Sequence, residues 1–266
     1  MRRQRYICLF VLALLFAGLL STNVYAANTE ADEKQVESQA NTQQRDWEFV
    51  LALYGWAADL EFTLPTGDEA EITFSDIMDN LDMTFMSAFG VRKDKWSFMT
   101  DAIYLDINQS DNTNLNQLFT LTDIYLKAWI VSPFVSYEIM GGEKGSLQLK
   151  AGPRYFWLET GLELKTRPPL DPGKTDDSIS DDVWDVVVGI RGQFNLAKRW
   201  SIPYVLDIGT GDSDYTWQAM GGLSYQFDKF QLLAVYRYMH WEFDESFSIL
   251  EDLTVKGPAV GAIFTF

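Results

Sequence analysis

Cysteine is all but absent: the one in the 266-residue chain, Cys8, lies in an N-terminal apolar run. If that run is removed on export, the remaining protein forms no disulfide. Histidine is as scarce, with His240 alone, and bases are few, 21 Lys and Arg against 38 Asp and Glu. Three of those bases, Arg2, Arg3 and Arg5, precede the apolar run, so 18 bases face 38 acids beyond it. Phosphate binding needs a basic face, which excludes nucleic acid as a partner. Beyond residue 26 no stretch approaches the roughly 20 apolar residues of a spanning helix. If the protein is in a membrane, it crosses it with strands.

The N-terminus carries a secretory pattern. Arg2, Arg3 and Arg5 form a positive segment, Tyr6 to Leu20 is apolar, and Val24-Tyr25-Ala26 offers small residues at a cleavage site. Residues 1–26 therefore read as a cleaved signal peptide. Cys8 sits within the run and not after a cleavage box, which speaks against a lipoprotein. Residues 27–46, rich in Gln, Asn, Glu and Ala, have little to bury and read as a flexible periplasmic leader. The overall 47% hydrophobic and 15% aromatic content excludes a disordered chain.

From Trp47 the pattern turns to period two. Trp184, Val186, Val188, Ile190 and Phe194 oppose Asp185, Gly189, Arg191 and Gln193, and Leu147, Leu149, Ala151, Tyr155 and Trp157 oppose Gln148, Lys150, Gly152 and Arg154. Such alternation marks strands with one apolar face. Ten are predicted, over 47–58, 83–93, 96–108, 119–139, 146–163, 182–195, 200–210, 214–227, 230–243 and 253–266. Their connections alternate between short (Lys93-Asp94-Lys95, Gly141 to Gly145, Leu196 to Arg199, Asp228-Lys229) and long (59–82, 109–118, 164–181, 244–252). An even strand number, short periplasmic turns and long external loops are the arrangement of outer-membrane barrels.

Aromatic residues are expected as two girdles. Trp96, Phe194, Trp200, Phe227 and Phe230 flank the short turns, and Trp56, Tyr104, Trp157, Trp184, Trp217 and Trp241 lie toward the long loops. The lumen face is predicted to hold Arg92, Asp101, Asp123, Lys127, Lys150, Arg154, Asp185, Arg191, Asp207 and Arg237. These either pair and fill the interior or line a narrow ion path. His240 shares parity with Tyr236 and Tyr238, which places it on the lipid-facing set near the outer interface. Loop 59–82 is acidic (Asp59, Glu61, Asp68, Glu69, Glu71, Asp76, Asp79, Asp82), and its Ser75-Asp76 start predicts a capped short helix over the barrel mouth. Its carboxylate spacing matches no EF-hand loop.

The chain closes on Val260-Gly261-Ala262-Ile263-Phe264-Thr265-Phe266, alternating apolar positions that end on phenylalanine. With Phe74-Ser75-Asp76-Ile77-Met78-Asp79-Asn80-Leu81 and the strands after it, Tyr236-Arg237-Tyr238, and the Gly257-Pro258 segment, residues 47–266 resemble small Gram-negative outer-membrane barrels of the OmpA/OmpW-like kind. The resemblance is closest to a poorly characterised set of predicted barrels. It implies an all-β, antiparallel transmembrane β-barrel; the ten strands counted here depart from the eight of the smallest members, and 60–64 and 70–74 could extend the barrel to twelve. It also implies the outer membrane as location, its lipids and lipopolysaccharide as surroundings, and the barrel assembly machinery as partner through the strand ending at Phe266. It brings no active site, cofactor or metal. The function expected is non-enzymatic, in envelope structure or limited passage of small solutes. A small cation-preferring channel is the alternative suggested by the acidic mouth. A hydrolase or protease with His240 as general base is the alternative from another class.

Overall fold

A strand whose alternate residues are apolar must turn that face away from water, and in a membrane its hydrogen-bonding edges must be paired all round, which only closure achieves. The computed structural model describes residues 47–266 apart from 115–118, 167–173 and 245, and of 109–124 and 162–177 it describes the backbone alone. The signal and leader expected over 1–46 lie outside the described residues.

Ten strands form the ring: β1 (Glu48–Trp56), β4 (Leu81–Lys93), β5 (Trp96–Asn114), β6 (Phe119–Gly142), β7 (Gly145–Thr166), β8 (Lys174–Asn195), β9 (Trp200–Gly211), β10 (Ser213–Gln226), β11 (Phe230–Phe243) and β12 (Asp252–Thr265). Each pairs antiparallel with the next, and β1 with β12 closes the circle. The closing seam ends on Phe49 and Phe266, which exchange both backbone hydrogen bonds at 2.9 and 3.0 Å.

The segments considered as an eleventh and twelfth strand do pair, but outside the ring. β2 (Asp59–Thr63) continues β1 beyond a break at Ala57-Ala58 and pairs with the outer half of β12, and β3 (Glu69–Ile72) folds back on β2. A short helix follows, α1 (Phe74–Asp79). Its cap is Thr73 rather than Ser75: the Thr73 hydroxyl accepts from Asp76 N while the Asp76 carboxylate accepts from Thr73 N, a reciprocal box that leaves Ser75 inside the first turn.

Four short turns mark one end, called inner here. Asp94, at φ 54°, turns β4 into β5, and Glu143-Lys144 joins β6 to β7 across the pair Gly142–Gly145. The outer connections depart from the expected sorting in two ways. Strands β7 and β8 pair as far as Lys165–Lys174, so most of the predicted loop 164–181 is hairpin, and β5 likewise runs into 109–118 as far as Asn114, paired with Thr120 of β6. A polar chain in water keeps its ladder even where no lipid face demands it. The β9–β10 connection is also only Asp212, whose backbone N–H and carboxylate both bond to Trp184.

The outer surface carries the apolar belt. Phe89, Val186, Val188, Leu206, Ile208, Leu232 and Val260 are all more than a third exposed, which for such side chains means contact with lipid. The inner girdle is present, with Trp96 on Tyr137, Phe194 on Tyr204, Trp200 on Tyr225 and Phe227 on Phe230 at ring distances of 4.8–4.9 Å. In the outer girdle Tyr104 stacks on Trp129, Tyr155 on Trp184 and Trp217 on Tyr238. Trp56 and Trp241 do not belong to it: at 5% and 0% exposure they face the lumen, because they share parity with Tyr54 and Met239 on their strands.

Candidate functional site

The lumen is built in three tiers. Its middle is a layer of charged and polar side chains contributed by seven of the ten ring strands, the charged ones by five. Lys150 Nζ and Arg154 Nη2 from β7 each meet one oxygen of Asp207 on β9 at 2.6 Å. Across the barrel, Arg237 Nη2 of β11 meets Asp101 of β5 at 2.7 Å, and Tyr54 of β1 donates to the same carboxylate. Gln218 of β10 joins the halves, its Oε1 accepting from Arg237 at 2.9 Å and from Arg154 at 3.4 Å. Arg154 also donates to Thr216 at 3.0 Å, and Asp185 of β8 accepts from the Ser213 hydroxyl at 2.7 Å.

Three cations (Lys150, Arg154, Arg237) and three carboxylates (Asp101, Asp185, Asp207) make this layer formally neutral. Arg154, Asp185, Asp207 and Arg237 are at most 6% exposed. Charges removed this far from water persist only when paired and hydrogen-bonded. The Arg237 guanidinium also lies over Trp56 at 5.0 Å and that of Arg154 over Trp241 at 5.7 Å, so the two displaced tryptophans roof the layer with ring faces that attract cations.

Above it lies an apolar chamber of about 860 Å³, bounded by Trp56, Ile103, Leu105, Ile130, Phe156, Leu158, Leu253 and Val255 from the wall. Its roof is the first loop and the last one: Leu60, Phe62, Ile72 and Ile77 from the β2–β3–α1 segment, and Ile249 and Leu250 beyond β11. The predicted helix thus does cover the mouth, with Ile77 buried at 5% exposure.

The wall of this chamber has a break. β4 pairs with β1 only up to Ser87–Leu53; above that point β2 takes β3 as its neighbour, and Leu81–Met86 have no strand on that side. The chamber reaches the outer surface here. Gly55, Pro258 and Val260, which face outward on β1 and β12, line it together with the inward-facing residues. Gly55 has no atom within 4 Å of where a Cβ would stand, and Met83 and Phe85 beside the break are 56% and 50% exposed.

Below the charged layer is a second chamber of about 780 Å³, open toward the short turns and lined by Arg92, Gln148, Arg191, Gln193, Tyr204, Ser224 and Gln231 among others. It shares no lining residue with the upper one.

Eight of the ten predicted lumen charges thus face inward. Lys127 does not: it lies on the outer face of β6, directly between Asp106 of β5 and Glu159 of β7. The inward residues of β6 at this height are Leu126, Ala128 and Ile130, as the apolar chamber demands. The side chain of Asp123 lies outside the described residues. His240 is outward as expected, its Nδ1 2.9 Å from Thr254 Oγ1 and its Nε2 3.7 Å from Glu242, with Tyr215 and Trp217 packed on its ring. The acids of loop 59–82 are spread over separate partners. Asp59 accepts from Phe74 N, Glu61 pairs with Lys256, Asp68 accepts from Thr66, and among the described residues no three carboxylates converge as a metal site. The sequence reading missed Tyr54, Thr216 and Gln218, neutral groups that complete the layer, and it missed the apolar chamber. The signal for the chamber was there: Leu126 to Val131 and Tyr155 to Leu158 are apolar at nearly every position, so both faces of those strand segments avoid water.

No family model matches the chain, and no curated protein matches it. Among solved structures it is similar to the attachment invasion locus protein Ail of Yersinia pestis (14% identity, 83% of this chain and 98% of that one, TM-score 0.37). It is also similar to the toluene transporter TbuX of Ralstonia pickettii (13%, 82% and 72%, 0.36) and to Neisserial surface protein A (12%, 84% and 100%, 0.34). With its closed ring of ten strands, lipid-facing belt and paired aromatic girdles, the chain is a small β-barrel of the outer-membrane class.

Proposed function

We propose that this barrel sits in the outer membrane, takes small apolar molecules into its outer half and releases them sideways into the bilayer. The observation that carries the reading is the continuity of the 860 Å³ apolar chamber with the lipid-facing surface between β1 and β4. Its volume falls within the roughly 300–1,000 Å³ of small-molecule sites. Its wall is mainly apolar, with Tyr54, Thr84, Tyr125 and Thr160 and, at the lid, Glu71, Asp76 and Asn80 as its polar groups, and transfer of an apolar molecule into it from water is favourable by about 25 cal/mol per Å² buried. The charged layer below opposes the same molecule, since displacing its ion pairs leaves buried charges uncompensated. Lateral exit therefore has the smaller barrier.

The test is binding of an apolar fluorophore, N-phenyl-1-naphthylamine, to the refolded barrel, followed by energy transfer from tryptophan. Saturable binding is expected, lost in Leu158→Trp, which fills the chamber. In liposomes loaded with the barrel, Gly55→Phe should slow transfer of the fluorophore to the bilayer while leaving binding intact, because open space awaits the ring. Equal, unsaturable signals in wild type and Leu158→Trp would reduce the chamber to a void.

A further inference from the structure

We infer that the inner chamber is a binding site for a small oxyanion, a carboxylate or phosphate group, held by the guanidinium groups of Arg191 and Arg92. The inference rests on the fold alone and not on the lateral-exit reading.

The charged layer above is balanced; this chamber is not. Among the described residues Arg191 has no carboxylate partner. It crosses the lumen from β8 to place Nη1 2.9 Å from the sulfur of Met99 on β5, and its guanidinium lies 5.2 Å from the ring centre of Phe134. A thioether is a weak acceptor, and a ring face compensates a cation only in part. Phe134 is shared besides, with Lys150 at 4.6 Å on the charged-layer side.

Arg92 stands on β4, the strand beside Met99, and the two guanidinium charges repel one another. Among the described residues its one carboxylate contact is Glu48 at 3.6 Å, with both side chains about half exposed, a separation too long for a charge-assisted hydrogen bond. Its Nε is buried with no acceptor among the described residues, as are those of Arg154 and Arg237 in the layer above. A buried donor without an acceptor costs about 1–3 kcal/mol, more when charged, so such groups in a native protein point to a missing partner.

Around them the wall is polar, with Gln148, Gln193 and Tyr204 at the chamber surface and one carboxylate, Glu143, in the short turn at its mouth. The side-chain amides of Gln148 and Gln193 can donate to an anion's remaining oxygens but cannot neutralise the arginines, and the Tyr204 hydroxyl already donates to the Ser146 carbonyl. The fork of a guanidinium matches two oxygens of a carboxylate or phosphate, and a second guanidinium nearby favours a group with more than two. Access is from the short-turn end, where Lys198 and Arg199 line the mouth and Arg199 is already paired with Asp228 at 2.9 Å.

The test is calorimetric titration of the refolded full chain with inorganic phosphate, and separately with acetate, at constant ionic strength. One saturable site is expected. Removing one charge-assisted contact of about 1.5–3 kcal/mol predicts roughly ten- to hundredfold weaker binding in Arg191→Gln, with no change in Lys229→Gln, an exposed turn residue outside the chamber lining. Tighter phosphate binding would assign the site to phosphoryl groups, and tighter acetate binding to carboxylates. A measurement without variants guards against misfolding: the bound anion should slow modification of Arg92 and Arg191 by phenylglyoxal, read by mass spectrometry. Absence of saturable heat with both anions, or equal modification rates with and without them, overturns the inference.

Discussion

Asp207 is the residue on which the charged layer turns, because one carboxylate answers two buried cations through two 2.6 Å contacts. Asp207→Ala should cost about 3–5 kcal/mol, the usual effect of leaving buried charge uncompensated, read as a shift of the urea midpoint of the refolded barrel. Leu206→Ala, which removes a lipid-facing neighbour on the same strand, serves as the control. His240, packed on the outer surface, is expected to be dispensable: His240→Ala should assemble normally. If the barrel hydrolyses lipid or peptide with His240 as base, that same variant abolishes the hydrolysis; we expect none to be found.

Thr73 and Asp76 set the lid at the same scale. Hydrogen bonds from the Thr73 side chain and backbone hold the Asp76 carboxyl below its ordinary value of 3.8. The group is an acid with a depressed folded value, so its contribution is present above the ordinary value and fades as pH falls through the lowered one. Fluorophore binding should therefore be flat from neutral pH down to about 5 and change only below the ordinary carboxylate range. Thr73→Ala, which loses a cap of about 1 kcal/mol, should make the lid more accessible to protease near α1.

At the scale of elements, β12 is the seam. Its inner half pairs with β1 and its outer half with β2, and the changeover falls at Gly257. A Cβ there would stand 2.0 Å from the carbonyl oxygen of Ala57, and the Gly257 carbonyl accepts from Trp56 Nε1 at 3.1 Å. Gly257→Ala should thus slow closure of the barrel and lower its yield on refolding, measured by the fraction reaching the protease-resistant form. Deleting Phe266 removes the last bonded pair of the same seam, and should delay assembly more than deleting several residues from 27–46. Equal delays would mean that the end of β12 has no special part in closure.

For the whole molecule, the neutral layer across the middle governs conduction. The reconstituted barrel should pass little current in a planar bilayer. Any current should favour cations, because acidic outer loops raise the local cation concentration within a Debye length of about 8 Å. Changing Asp76, Asp79 and Asp82 together to Asn should reduce that preference, and less so at high salt. Large, stable, anion-selective openings would contradict both the closed layer and the role of the loops.

Closure, strand number and the lipid-facing parity of most strands were legible in the sequence, since a period-two pattern is imposed by lipid on one side and holds residue by residue. So was the lumen placement of Lys150, Arg154, Asp185, Asp207 and Arg237, each a charge opposite an apolar row. Lys127 was misplaced where the pattern has no contrast: Leu126 to Val131 is apolar on both faces but for that lysine, because one face meets lipid and the other an apolar chamber. Trp56 and Trp241 lie near the loops along the chain, which suggests a girdle, but strand parity turns them inward. Only the tertiary structure decided which charges meet, since Asp207 lies 57 and 53 residues along the chain from Lys150 and Arg154. It alone also decided that β2 leaves β4 for β3, which opens the wall. Pattern along a strand is set by the medium on each face; contact across the lumen and the choice of neighbour are set by closure, which no single strand records.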